Sequence, residues 1–343
     1  MQAERVNQTA WIGIDVAKGS VDAALHLDGP LGSVATFERT PAGMAELARW
    51  ARREVGEEAA LRAVIEATGR YSLEAIGWLL EADAAIAPAC VNPLHAKRFA
   101  QSLGLRNKTD EVDARMLARL GAERSPAPYE PPAPVFLELR ALVRERRQLV
   151  EEHVRLSNRI GEGTDSTFVR RQRSRRLNTL ERDIERLDAE IARVAASDES
   201  LRADLARMTT IPGVGIVTAI TVLAELGDLR RFASGRQLAA FAGVSPRRHE
   251  SGSSVRGRTS MCKKGNPTVR SVLYMSAVTT KRLPNGMATI YERLIANGKA
   301  PKAALGALMR KQLLLMRALL VRGEDYKNPV EKSRRGRLET LAC

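Results

Sequence analysis

Apolar positions in the first part of the chain follow two rhythms. Residues 10–16, 21–27 and 33–37 are short apolar runs of strand length, the last two parted by the turn residues Asp28, Gly29 and Pro30. A helix opens at Pro41 and runs to about residue 54. Residues 61–65 form a buried-type strand that delivers Glu66 just before the Thr68-Gly69 turn. A helix over about 71–81, a short strand near 85–88 and helical residues 93–103 follow. A last helix begins behind Thr109, a good N-cap. Three strands, helix, strand, helix, strand and helices predict an α/β domain with a mixed sheet over residues 1–124.

Residues 125–134 hold five prolines in ten positions and read as a semi-rigid extended linker. Beyond it the period lengthens. Leu139, Leu142, Arg146, Leu149, His153, Leu156 and Ile160 fall at alternating spacings of three and four. Leu177, Leu180, Ile184, Leu187, Ile191 and Val194 repeat the pattern. These are the arms of a coiled-coil hairpin over 135–198, packed on each other or used for self-association. Its polar connection carries Arg170, Arg171, Arg173, Arg175 and Arg176. Residues 199–323 predict a mostly helical domain, with short helices on either side of Ile211-Pro212-Gly213-Val214-Gly215 and helices over 269–281, 287–296 and 302–321. The apolar-x-Gly-x-Gly turn resembles a helix-hairpin-helix module, whose glycines let backbone N–H groups approach a phosphate without reading sequence. Residues 324–343, with Lys332, Arg334, Arg335 and Arg337, are expected to be a disordered basic tail.

Composition narrows the class. With 343 residues and 44% apolar content the chain is globular and long enough for two or three domains. No apolar run reaches the ~18 residues of a membrane span, and no signal-peptide pattern opens the chain. Cys90, Cys262 and Cys343 form no C-x-x-C pair and read as free thiols of a cytoplasmic protein. His26, His95, His153 and His249 have no zinc-ligand spacing.

Charge changes the picture more. Residues 1–130 hold 15 Lys and Arg against 18 Asp and Glu, a net of −3, and residues 131–200 a net of +1. Residues 201–343 hold 26 against 9, a net of +17. Such asymmetry points to a polyanion, most simply nucleic acid. The densest basic segment, residues 243–266, holds Arg247, Arg248, Arg256, Arg258, Lys263 and Lys264 among serines and glycines, and feeds a helix opened by Asn266 and Pro267. That is a phosphate-binding arrangement. A hydroxyl beside arginines could attack a phosphodiester, but residue chemistry does not choose among Ser245, Ser251, Ser253, Ser254 and Ser260.

The acids of the first domain carry the other chemistry. Asp15 and Glu66 sit in buried-looking strands, where a carboxylate is costly unless it is paired or coordinates a metal. Asp110 and Asp113, at i and i+3 in a first helical turn, share one face and can share a divalent cation. The competing readings are complementation of the helix dipole and ion pairs to Arg70 or Arg115.

Taken together, Gly13-Ile14-Asp15-Val16-Ala17-Lys18, Ile65-Glu66-Ala67-Thr68-Gly69 and the stretch opening Asn107-Lys108-Thr109-Asp110 resemble the DEDD-type insertion-sequence transposases of the "one-ten" group. So do Ile211-Pro212-Gly213-Val214-Gly215, Ala239-Ala240-Phe241-Ala242-Gly243 and His249-Glu250-Ser251-Gly252-Ser253. The similarity runs from about residue 10 to 320 in the family's order. It implies a RuvC-like, ribonuclease-H-type catalytic domain whose acids fall on Asp15, Glu66, Asp110 and Asp113 and hold Mg²⁺. It also implies a C-terminal transposase domain with its serine nucleophile at Ser251. It further implies an oligomer, dimer or tetramer, that recombines double-stranded donor and target DNA under a bridge RNA. Lys108, Gly213, Gly215 and the basic residues of 243–266 are the expected nucleic-acid contacts. The RNA rests on resemblance alone, because 4% aromatic content offers little stacking platform. The alternative is a Holliday-junction-type endonuclease or site-specific invertase using metal-activated water.

Overall fold

The computed structural model describes residues 9–26, 32–105, 109–164, 166–247, 250–251, 255–256, 260–262 and 264–328. Lys108, Arg248, His249, Ser253, Ser254, Arg258, Lys263 and residues 329–343 of the basic tail therefore lie outside the described residues. The start of that tail is held, the Tyr326 N–H donating to the Thr210 hydroxyl at 2.9 Å. The chain forms two compact units, Met1–Pro131 and Pro132–Cys343.

The first unit is built on a five-stranded mixed sheet. Strands β1 (Ala10–Val16), β2 (Ser20–His26) and β3 (Val34–Glu38) are consecutive antiparallel neighbours, and β4 (Leu61–Glu66) and β5 (Ala87–Val91) add in parallel on the other side of β1. The order is β3-β2-β1-β4-β5. Parallel neighbours need crossovers, supplied by α1 (Pro41–Val55) and α2 (Arg70–Ala82). Period-two alternation divides the side chains of β1 between two cores. Ile12 and Ile14 face Met44, Leu47, Ile76 and Leu79 of α1 and α2. Trp11 faces Phe99 of α3 (Pro93–Ser102) and Leu117 and Leu120 of α4 (Asp110–Arg124).

Two details differ from the sequence expectation. Strand β5 starts later than the predicted 85–88. The Asp83 carboxylate accepts the Ala85 N–H at 2.9 Å and the Asp83 carbonyl accepts the Ile86 N–H at 3.1 Å, so a turn occupies the first of those positions. The Pro-rich stretch is also no free spacer in its first half. The Tyr129 N–H donates to the Pro88 carbonyl at 2.7 Å and Arg62 donates to the Pro126 carbonyl at 2.6 Å, strapping the stretch to the sheet.

The second unit is helical. The paired helices α5 (Pro134–Gly161) and α6 (Thr167–Ala196) are followed by α7 (Glu199–Thr209), α8 (Ile216–Leu226), a 3-10 turn at Leu229–Arg231 and α9 (Gly235–Phe241). The last helices are α10 (Pro267–Thr280), α11 (Gly286–Ala296) and α12 (Pro301–Arg322). Buried Leu180, Ile191 and Val194 lie on the predicted seam of α6. The seam also carries charge: Arg146 forms a bidentate pair with Asp188, and His153 Nε2 lies 3.1 Å from Glu181. The segment expected as a single Gly-rich loop contains two short antiparallel ladders. Strand β6 (Pro246–Arg247) pairs with β9 (Ser260–Met261), and β7 (Glu250–Ser251) with β8 (Val255–Arg256).

Candidate four-carboxylate site and serine-bearing segment

The acids of the first unit meet because of two glycines. Asp15 lies two residues beyond Gly13 on β1, so both face α4. A Cβ at Gly13 would stand 1.9 Å from the Ala114 carbonyl oxygen and 2.2 Å from the Ala118 nitrogen. One at Gly121 would stand 2.4 Å from the Trp11 ring. Helix backbone therefore lies directly on strand backbone, an approach closed to any larger residue. A strand-interior glycine was the available sequence signal for this approach. Glu66 reaches the same face from β4: Val64 packs in the α4 core, Ile14 pairs with Ile65, and the next residues, Asp15 and Glu66, leave adjacent strands side by side. Thr109 accepts the Val112 N–H at 3.3 Å, which starts α4 with Asp110 and Asp113 in its first turn.

The electrostatics register this meeting. Burial, then the charges of Asp113, Asp110 and Glu66, push the Asp15 carboxyl from 3.8 up to about 6. Arg70 and Arg115, the ion-pair alternatives to a metal, are paired with other acids. Arg70 pairs with Glu74 at 2.6 Å and Arg115 with Glu111 at 2.9 Å. Among the described residues no three His, Cys, Asp or Glu side chains form a ready-made metal cage. Asp113, Asp110 and Glu66 are near enough to raise the proton affinity of Asp15 without the four acids closing on a point. Mg²⁺ suits such an open set, because it keeps several waters and takes one or two carboxylates together with substrate phosphates. Half-buried Asp15 with three acids around it is a site of concentrated negative charge whose chemistry fits a hard divalent cation.

In the second unit, Ser251 lies on β7 opposite Val255, with Glu250 opposite Arg256. Arg247 pairs through its backbone with Ser260, and Lys264 is exposed at the exit of the segment. The ends of this excursion are pinched together. A Cβ at Gly265 would lie 2.2 Å from the Gly243 nitrogen, and the Cys262 N–H donates to the Ser245 carbonyl at 2.8 Å. Arg270 and Arg310 brace the pinch from α10 and α12 by donating to the Gly265 carbonyl at 2.6 Å and to the Ser245 hydroxyl at 3.2 Å.

Gly213 adopts φ +80°, and its side-chain direction faces α10: a Cβ there would lie 2.2 Å from the Thr280 hydroxyl. The Pro212 and Gly213 carbonyls accept from Thr280 and Ser276, both at 2.7 Å, and buried Gln312 donates to both of those hydroxyls. Glycine at 213 thus serves packing of the turn on α10. Gly215 is exposed and opens α8 without a side-chain cap.

A residue set that the sequence reading missed joins the hairpin to this unit. Arg144 of α5 donates twice to buried Glu225 of α8, at 2.7 and 2.8 Å, and Asn266, the cap of α10, donates to the same carboxylate at 2.7 Å. Burial alone would push the Glu225 carboxyl up; the Arg144 guanidinium and the Asn266 amide outweigh it and hold the group below the usual range.

Comparison with known proteins places both units. A family model described as a DEDD transposase matches residues 12–169, and one described as "Transposase IS116/IS110/IS902 family" matches residues 205–292. The pilin gene-inverting protein of Moraxella bovis is 30% identical over 328 residues, covering 94% of this chain and 99% of the relative. The transposase of insertion sequence element IS1111A from Coxiella burnetii is 26% identical over 271 residues, 69% of this chain and 72% of the relative. Among solved structures, Thermus thermophilus RuvC in complex with a Holliday junction substrate aligns with all of its chain and 36% of this one, at 11% identity and a TM-score of 0.27.

Proposed function

This chain belongs to the IS116/IS110/IS902 family of transposases, and on that premise we propose a recombinase that cuts and rejoins DNA with a four-carboxylate Mg²⁺ site and a serine nucleophile. The observation that carries the first half is the Asp15 carboxyl, raised to about 6 by burial and by Asp113, Asp110 and Glu66. A carboxylate that takes up its charge so reluctantly beside three acids gains from a bound cation. Asp15, Glu66, Asp110 and Asp113 would hold Mg²⁺, which when bound supplies neutralisation of phosphate charge and orientation of the scissile bond.

Ser251 is the proposed nucleophile. Its Oγ–P bond forms as the bond from phosphorus to a deoxyribose oxygen breaks, and the Ser251 proton passes through solvent to the departing oxygen. A hydroxyl of the incoming strand then attacks phosphorus and returns Ser251 as the free alcohol. The phosphoserine conserves the bond energy for rejoining. Arg247, Arg248, Arg256 and Arg258, close to Ser251 in the sequence, are the cations proposed to stabilise the pentacovalent transition state. The partners are double-stranded donor and target DNA, a bridge RNA encoded by the mobile element, and further copies of this chain.

A second reading is site-specific inversion, favoured by the pilin gene-inverting relative that matches along nearly its whole length. It would use the same strand chemistry on two sites of one molecule. Incubating the protein with element-end DNA in Mg²⁺ and resolving products under denaturing, protease-free conditions tests the chemistry. A protein–DNA adduct that Ser251→Ala abolishes is the expected result. Cleaved, unjoined DNA of equal yield from Ser251→Ala would assign the reaction to metal-activated water instead.

A further inference from the structure

The paired helices α5 and α6 are divided in charge along their length. Their half nearest the helical core, residues 134–154 and 177–196, holds seven arginines and nine acids; the distal half, residues 155–176, holds seven arginines and two acids. The pairing follows the same division. In the near half Arg144, Arg146, Arg147, Arg186 and Arg193 each pair with an acid, at Glu225, Asp188, Glu151, Asp183 and Glu190. In the distal half, among the described residues, Arg176 alone does, with Glu152 at 3.7 Å.

Anchorage divides there too. Leu139, Val143, Ile191, Val194 and Ala195 belong to the large core of the second unit, while Leu156 and Leu180 are buried outside it. The distal half therefore has no packing duty that requires its cations. Arg173 has a local one, closing the connection by donating to the Arg159 carbonyl at 2.8 Å. Exposed Arg155, Arg159, Arg171 and Arg175 have side chains with no hydrogen-bond or ion-pair partner among the described residues, and stand one helical turn apart on each arm. Gathering unpaired like charges costs self-repulsion, which a polyanion would relieve.

We infer that the distal end of the α5–α6 hairpin is a docking surface for the phosphate backbone of duplex DNA. Two features select the duplex over a single strand. Single-strand binding combines a basic groove with successive stacking faces, and this end offers one exposed aromatic, Phe168, 69% accessible. Rigid helices present guanidinium groups at fixed spacing, which suits the fixed phosphate array of a double helix. Such docking carries no sequence information, because phosphate contacts position and base contacts specify. The inference rests on DNA being the substrate of this family member, and it assigns the hairpin end the task of holding flanking duplex.

The test is equilibrium binding of the full-length protein to a duplex of unrelated sequence across a salt series, for the parent and for R155Q/R159Q/R171Q/R175Q. These exposed side chains leave the fold intact, checked by an unchanged thermal midpoint. The expected result is weaker binding with a salt slope shallower by roughly 2 to 4, at about 0.9 for each phosphate no longer neutralised. Unchanged affinity and slope in the variant would overturn the inference, while absence of duplex binding by the parent would count against the proposed function itself. A weakening confined to single-stranded RNA, with duplex binding intact, would also overturn it.

Discussion

Gly13 of β1 and Ala114 of α4 touch backbone to backbone: a Cβ on Gly13 would stand 1.9 Å from the Ala114 carbonyl oxygen. This approach sets the distance between Asp15, two residues along the strand, and Asp113, one residue before Ala114. Gly13→Ala must push the helix off the strand. It should destabilise the protein by about 1–3 kcal/mol, the usual range for overpacking, and strand transfer should fall even where the protein remains folded. Urea unfolding beside a recombination assay separates the two effects; a variant of native stability and activity would place the helix elsewhere.

Asp15 gives a pH signature in the metal-free protein. Its folded pKa of about 6 lies above its ordinary 3.8, so the fold binds that proton more tightly than the unfolded chain does. Stability from this group is present below about pH 4 and is lost as pH rises through about 6. Asp15→Asn should therefore stabilise the metal-free protein at pH 7.5 and leave it almost unchanged at pH 4. Unfolding free energies at the two values check the sign. Equal effects at both would deny the raised proton affinity of Asp15.

Glu225 behaves in the opposite way. Its carboxyl is held below the usual range by Arg144 and Asn266, so its contribution is present above its ordinary pKa and lost as pH falls through the lowered one. Arg144→Met should cost about 2–4 kcal/mol, somewhat under the range for breaking a fully buried pair because Arg144 is half exposed. Glu225→Gln should cost less, since the amide leaves no buried charge behind. The double variant in a mutant cycle should show strong coupling; simple additivity would mean that the pair is idle.

Asp15 and Glu66 stood out because a carboxylate ending an apolar strand is costly, and alternation along the strands then fixed their faces. Asp110 and Asp113, at i and i+3 in a first turn, also fit plain complementation of the helix dipole, and the motif resemblance joined them to the other two. What positions them was only half legible. Gly13 inside a buried strand hinted at close approach, but Ala114 as its partner lies 101 residues away and no local pattern names it. The same holds for Arg144 and Glu225, 81 residues apart on two helices. Helical period marked both elements, yet it could not tell a solvent-facing arginine from one aimed at a buried carboxylate. The strap of Tyr129 onto Pro88 was hidden by composition, since a Pro-rich run reads as a spacer whether or not its one aromatic finds a pocket. The serine segment was legible by motif and not by pattern. Its two-residue strands are too short for alternation to register, and Gly243 meets Gly265 only because the segment's two ends are drawn together.

The chemistry proposed for the first unit depends on Asp15, Glu66, Asp110 and Asp113 acting as one divalent-cation site. The decisive measurement is calorimetric titration of Mg²⁺ into the full-length protein bound to a DNA duplex, at pH 7.5 and pH 5, repeated with Asp15→Asn and Asp113→Asn. Binding is expected at pH 7.5, weakening at pH 5 as Asp15 takes up its proton, with a fall of at least about tenfold, ~1.4 kcal/mol, in either variant. Mg²⁺ binding of undiminished affinity in both variants would contradict the four-acid site.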